Sequence, residues 1–133
     1  MCLFCKIAKG EIPSAKVYED DEVLAFLDIA PVHPGHCLVI PKEHYVTMVD
    51  IPSDLLQKVI AVTKMCAKGV MDATGCDGFN ISQNNFRASG QAIDHLHFHV
   101  IPRFEGDGLK LWPQGSYKDG EIEEIAESIK KLL

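Results

Sequence analysis

His95-Leu96-His97-Phe98-His99-Val100-Ile101 sets three histidines at alternate positions within an otherwise apolar run. Side chains alternate between the faces of a β-strand, so this spacing predicts a strand carrying His95, His97 and His99 on one face. Leu96, Phe98, Val100 and Ile101 are the apolar partners that hold such a strand in a core. The three imidazoles then span about 13 Å. One histidine on a strand is ordinarily a polar residue satisfied by backbone and water, but three in register each need their own partners. Two chemical readings stand beside that bland one. The row could form a metal centre, since imidazole is a common zinc ligand. It could equally supply a neutral imidazole nucleophile whose neighbours bind charged oxygens.

The residues just upstream bear on this choice. Asn84, Asn85, Ser89, Gly90 and Gln91 are neutral donors, with a glycine that lets the backbone approach a ligand closely. Asp94 is the acid nearest the row, and strand alternation turns it away from the histidines. These surroundings fit an anion cradle better than a metal hydrolase.

Further out, the chain alternates short β-type runs with one long helical pattern. Residues 16–19 and 22–28 predict a hairpin around Asp20-Asp21. Pro31, Pro34 and Gly35 break the chain before a strand over 36–40 that stops at Pro41. Leu55, Leu56, Val59, Ile60, Thr63, Cys66 and Val70 recur at helical spacing over 53–74, with Pro52 suited to the first turn and Gly75 to the end. Phe79 to Gln83 predicts a further strand and 84–94 a loop. Ile122, Ile125, Ala126, Ile129 and Leu132 predict a final amphipathic helix. The expected class is α+β: an antiparallel sheet of about five strands with a long central helix and a C-terminal helix.

The 133 residues suit a single domain, 1–133, and 47% hydrophobic content suits a well-filled core. No apolar stretch reaches the roughly 18 residues of a membrane span, and no signal-peptide pattern opens the chain. The formal charge of −6 argues against a nucleic-acid partner. A phosphate-bearing ligand is therefore expected to be held by local groups, with Lys42, Arg87, Arg103 and Lys110 as available cations. Cys2, Cys5, Cys37, Cys66 and Cys76 are an odd number, two of them in apolar contexts, which fits a cytoplasmic protein with free thiols.

The triad stretch resembles the His-φ-His-φ-His-φ-φ signature of the histidine triad (HIT) superfamily, in its Hint-like branch. The similarity extends to Cys2-Leu3-Phe4-Cys5-Lys6-Ile7, Glu11-Ile12-Pro13, Tyr18-Glu19-Asp20-Asp21 and Ala25-Phe26-Leu27-Asp28-Ile29-Ala30-Pro31. Pro34-Gly35-His36, Leu38-Val39-Ile40-Pro41-Lys42-Glu43-His44, Asn84-Asn85 and Gly90-Gln91 then follow in family order. Each motif alone is weak, and their ordered succession is specific.

The resemblance implies a nucleotide hydrolase or transferase acting at the α-phosphorus of nucleoside phosphoramidates or dinucleoside polyphosphates. His97 would be the nucleophile, forming a nucleotidyl-histidine that water hydrolyses to a nucleoside monophosphate. His99 would hold a phosphate oxygen or sit near the leaving group. Asp28 would bind the ribose hydroxyls, although without the resemblance it reads as a turn acid. Asn84, Gly90, Gln91 and Ala92 would line the phosphate site, while Leu3, Phe4, Ile7, Phe26, Leu27 and Ile29 would line a purine pocket. Ala92 departs from members that carry serine there, which leaves the leaving group open. By the same resemblance Cys2, Cys5, His44 and His95 would ligate a structural zinc, with no organic cofactor, and the chain would be a homodimer. His33 and His36 are expected to be ordinary loop and strand-entry residues. The alternative is a purine-nucleotide binding or sensor protein with little turnover.

Overall fold

A computed structural model describes residues 2–133. In chain order the elements are α1 (Leu3–Ala8), β1 (Lys16–Glu19), β2 (Val23–Leu27), β3 (Cys37–Pro41), α2 (Ser53–Thr74), β4 (Gly78–Gln83), a 3₁₀ turn (Arg87–Ser89), β5 (Phe98–Arg103) and α3 (Glu121–Leu132). The five strands form one sheet in the order β1-β2-β3-β5-β4. Every pairing is antiparallel.

The central strands are buried on both faces, which is why β2 and β3 read as continuous apolar runs. Val23, Ala25, Cys37 and Val39 point toward α2 and share a core with its Val59, Val62, Cys66 and Val70. Leu24, Phe26, Leu38 and Ile40 point the other way and pack under Phe4 and Ile7 of α1. Pro52 is the N-cap of α2, one residue ahead of the expected first turn. The helix ends in Gly75, a left-handed cap (φ 64°) whose N–H reaches the Met71 carbonyl at 3.0 Å.

The histidine row departs from its expected setting. The ladder begins only at Phe98, which pairs with Val39 on one side and Gln83 on the other, so His95 and His97 precede the strand. Pro41, where β3 ends, has its carbonyl taken by the His95 ring at 2.8 Å, and the Leu96 N–H donates to Tyr45 O at 2.7 Å. The alternation of faces nonetheless persists through the unpaired segment. Leu96, Phe98 and Val100 enter the α2 core, while His95 and His97 stand against the Phe4 ring of α1.

The C-terminal helix forms as expected, but none of its residues is buried. Ile122, Ile125 and Ile129 keep about half their surface exposed, and Trp112 ahead of them is 87% exposed. The segment leaves the sheet through Asp107. Its carboxylate receives Nε and Nη2 of Arg103 and the N–H groups of Phe104 and Leu109, and lies 3.2 Å from His33 Nε2.

Candidate active site

Four histidines, one more than the row, make up the site. His97 Nδ1 lies 2.7 Å from the carbonyl of His95. A carbonyl only accepts, so Nδ1 carries the proton and Nε2 keeps a free lone pair. Burial holds the His97 imidazole below its usual range, against an opposing effect of that hydrogen bond. The ring is therefore neutral at pH 7, with one nitrogen available as a nucleophile.

A chain of hydrogen bonds likewise determines the protonation of His99. The Val32 N–H donates to His36 Nδ1 at 3.1 Å, so His36 carries its proton on Nε2. That Nε2–H lies 2.9 Å from His99 Nδ1, which must accept. His99 is consequently protonated on Nε2 and can offer that N–H to an anion. Its ring centroid is 4.9 Å from that of His97. Burial, with the neighbouring imidazoles of His97 and His36, lowers its pKa to about 4. Burial also lowers His36, opposed by the Asp28 carboxylate, whose Oδ2 stands 3.9 Å from His36 Nε2.

His36 was expected to be an ordinary strand-entry residue, yet it is buried within this network. Its position immediately before the apolar run 37–41 was the available sign, because a histidine entering a two-sided core needs partners on arrival. His33 is not part of the network, and it faces Asp107 and the Phe104 ring.

The loop 84–92 is fixed from within. Gln91 is buried; its Oε1 accepts from the Phe86 N–H at 2.7 Å, and its Nε2 donates to Val46 O at 2.6 Å. The side chain thus braces the loop, with one amide N–H left over. Asn84 reaches across Gly90, where a Cβ would stand 3.7 Å from its Nδ2. Gly90 (φ 94°, ψ 17°) occupies the left-handed region, and Phe86 (φ 69°, ψ 162°), extended but with positive φ, is the one non-glycine residue with positive φ among those described. Ala92 is exposed. Of the six residues expected to line a base pocket, Phe4, Ile7 and Phe26 are almost wholly buried, while Leu3 and Ile29 are exposed. Two of the four expected cations are engaged elsewhere, Lys42 with Glu19 and Arg103 with Asp107.

A second cluster adjoins the first. Cys2 Sγ lies 3.1 Å from Cys5 Sγ and 3.4 Å from His95 Nδ1, and Cys5 Sγ lies 3.2 Å from His44 Nδ1. All four donor atoms lie within 4.8 Å of one another. His95 donates through Nε2 to Pro41 O, which leaves Nδ1 as a lone-pair ligand. Tetrahedral zinc with two sulfur and two nitrogen ligands needs donor atoms about 3.3–3.8 Å apart, so these residues could hold such an ion. The helix α1, not expected from the sequence, provides the arrangement. Cys2 caps it, accepting from the Cys5 N–H at 3.1 Å, and one helical turn brings both thiols to the same side.

The same α+β architecture is seen in several known proteins. The family model for the HIT domain matches residues 9–106. An adenosine 5'-monophosphoramidase of Schizosaccharomyces pombe is 42% identical over 134 residues, covering 99% of this chain and 98% of that protein. The crystal structure of a HIT family member from Bacillus subtilis superposes with a TM-score of 0.92 at 41% identity, covering 99% of this chain and 96% of the other. A zinc-bound histidine triad family protein from Mycobacterium smegmatis gives a TM-score of 0.78 at 32% identity, covering 99% and 97%. The chain belongs to the HIT family.

Proposed function

We propose that this chain is a nucleotide hydrolase that opens phosphoramidate or phosphoanhydride bonds at the α-phosphorus of a nucleotide through a covalent intermediate on His97. The observation that carries the reading is the paired protonation pattern. His97 has a free Nε2 held in place through Nδ1, and the neighbouring His99 presents an N–H. In the first step His97 Nε2 attacks phosphorus and the leaving group departs. The His99 N–H, the leftover amide N–H of Gln91 and the backbone around Gly90 then face the charge on the phosphate oxygens. Water next attacks the nucleotidyl-histidine, releasing a nucleoside monophosphate and restoring the neutral ring. Asp28 is assigned to the ribose hydroxyls; its Oδ1 already accepts from Ala30 N–H at 2.9 Å, which fixes the carboxylate. Asn84 and Ala92 border the phosphate, and exposed Ile29 lies next to Asp28 toward the base.

Cys2, Cys5, His44 and His95 are assigned to a structural zinc. A bound zinc there would fix the N-terminal helix to the segment that carries the nucleophile, while the chemistry stays with the imidazoles. A homodimer is supported by the apolar surface formed by Ile60, Met71, Phe79 and Ile81, beside the unpaired edge of β4. A cytoplasmic location is supported by five free cysteines. No helix among the described residues is long and apolar enough to cross a membrane.

Incubation with adenosine phosphoramidate and with diadenosine tetraphosphate, followed by chromatography for AMP, tests the hydrolase. AMP release from one or both is expected, with an acid-labile nucleotidyl adduct that disappears in His97→Ala. Absence of AMP from both substrates, with no adduct, would overturn the reading.

A further inference from the structure

Phe86 and Arg87 are consecutive residues on the loop beside the imidazoles, and neither contributes to the core. Phe86 is 62% exposed. Its backbone (φ 69°, ψ 162°) occupies a region that is essentially reserved for glycine. The loop locks it there, because the Phe86 N–H donates to Gln91 Oε1 at 2.7 Å and its carbonyl accepts from the Ser89 hydroxyl at 2.9 Å. Glycine would satisfy the same bonds with less strain, so stability does not account for an aromatic ring held in solvent. Arg87 is exposed as well, and its guanidinium has no carboxylate partner among the described residues.

Sheet order decides which part of a substrate this pair would meet. Strand β5 has β3 on one side and β4 on the other. Asp28 lies on the β3 side, 3.9 Å from His36, whose ring reaches His99 at 2.9 Å. On the β4 side Ser82 pairs with His99 and Gln83 with Phe98, so the chain leaves the sheet level with His97. Phe86 follows three residues later, which keeps its Cα within about 11 Å of that strand end. With the ribose on Asp28 and the α-phosphate over the imidazoles, the departing group extends toward Phe86 and Arg87.

A planar ring stacks on another planar ring, and a guanidinium binds phosphate oxygens. Ammonia, the leaving group of a simple phosphoramidate, offers neither feature. We propose that Phe86 and Arg87 select a nucleoside polyphosphate as leaving group, Arg87 meeting its phosphates and Phe86 stacking on its base. The inference rests on the reading of His97 as nucleophile and Asp28 as ribose ligand. With diadenosine tetraphosphate, the His97 Nε2–phosphorus bond forms and the bridging P–O bond breaks, its electron pair staying on the oxygen of departing ATP. Water then cleaves the N–P bond, supplying a hydroxyl to phosphorus and a proton to ATP. One dinucleotide and one water thus become AMP and ATP. In a chain of net charge −6, such a polyanion depends on a local cation.

The test compares kcat/KM for diadenosine tetraphosphate, adenosine tetraphosphate (which lacks the second base) and adenosine phosphoramidate. Phe86→Gly should lose about tenfold on diadenosine tetraphosphate alone, and Phe86→Tyr should retain most of that rate. Arg87→Gln should lose about fivefold on both polyphosphates, an effect that fades as salt is raised. Phosphoramidate turnover should stay nearly unchanged in all three variants. Equal losses on the three substrates, or full activity of Phe86→Gly on diadenosine tetraphosphate, would overturn the proposal. So would a loss accompanied by dissociation of a dimer in sedimentation, which would assign the ring to an interface between copies. Titration of His97→Ala with diadenosine tetraphosphate reads the same contact without turnover, and adding Phe86→Gly should weaken binding about tenfold. Weaker binding there, with no adduct in the unaltered protein, would retain the second-base contact and remove only the hydrolase reading.

Discussion

His36 is the residue whose removal should be most informative, because it touches the site only through another side chain. In His36→Ala the His99 Nδ1 loses its donor and the Val32 N–H loses its acceptor. A stranded polar partner costs about 1–3 kcal/mol when fully buried; His99 is only half-buried and Val32 is exposed, so the two together should cost about 2–4 kcal/mol. For a domain of this size that is a fall in Tm of roughly 8–15 °C. The kinetic effect should exceed the loss of folded protein. A His99 free to move its proton to Nδ1 no longer presents an N–H from Nε2. Removing one donor to developing negative charge typically lowers kcat by about 10²–10³. His36→Gln, whose amide can still donate toward Nδ1, should recover part of that rate. Nitrogen-15 chemical shifts of the histidine rings provide a readout independent of turnover. In the unaltered protein His99 should show a protonated Nε2 and a bare Nδ1, and in His36→Ala a mixture. A bare Nε2 on His99 in the unaltered protein, or full kcat in well-folded His36→Ala, would refute the reasoning.

Other consequences are as accessible. Phe86 holds an extended backbone with positive φ (φ 69°, ψ 162°) that costs a non-glycine residue about 1–2 kcal/mol, and glycine's greater unfolded-state freedom returns about half of that. Phe86→Gly should therefore raise Tm by about 2–4 °C in calorimetry, and a lower Tm would show that the exposed ring contributes more than the backbone strain costs. His99 titrates at about 4 when folded against 6.5 as a free side chain, so between those values the unfolded chain binds the extra proton. Stability is then complete above pH 6.5 and falls as pH drops toward 4. Partial solvent access reduces the loss to about 2 kcal/mol, measurable by urea unfolding with chelator present at every pH. Chelation should lower Tm while AMP release persists at temperatures where the protein stays folded, and Cys2→Ser or Cys5→Ser should each abolish stoichiometric zinc in elemental analysis. Undiminished zinc in both variants would remove them as ligands.

The pattern of local residues was enough to read most of this architecture. Val23 to Leu27 and Cys37 to Pro41 are apolar runs of strand length, and the three- and four-residue steps from Leu55 to Val70 admit only a helix. Features that depend on distant partners were less visible. Phe98 starts its strand where it does because Pro41 and Tyr45, more than fifty residues earlier, take the donors of His95 and Leu96. The role of His36 emerges only when β3 is laid beside β5, which brings it to a histidine sixty-three positions away. α1 is six residues long, too short for periodicity to announce it, although Phe4 and Ile7 at one-turn spacing opposite Cys2 and Cys5 carry its signature. Gln91 looked like an anion donor and is mainly a brace, because side-chain type does not reveal that backbone partners already occupy it.

The hydrogen bond from His97 Nδ1 to the carbonyl of His95 has a consequence for how this protein can vary. The atom that orients the His97 ring belongs to the main chain, so no single substitution deletes it, and a scan of every side chain would leave it undetected. Position 95 can in principle exchange imidazole for another metal-binding side chain while the carbonyl remains in place. A peptide-bond change, such as an ester introduced between residues 95 and 96 that weakens this acceptor, is the perturbation that reaches it. Selection can therefore alter the side chain at position 95 without altering the orientation of the His97 ring.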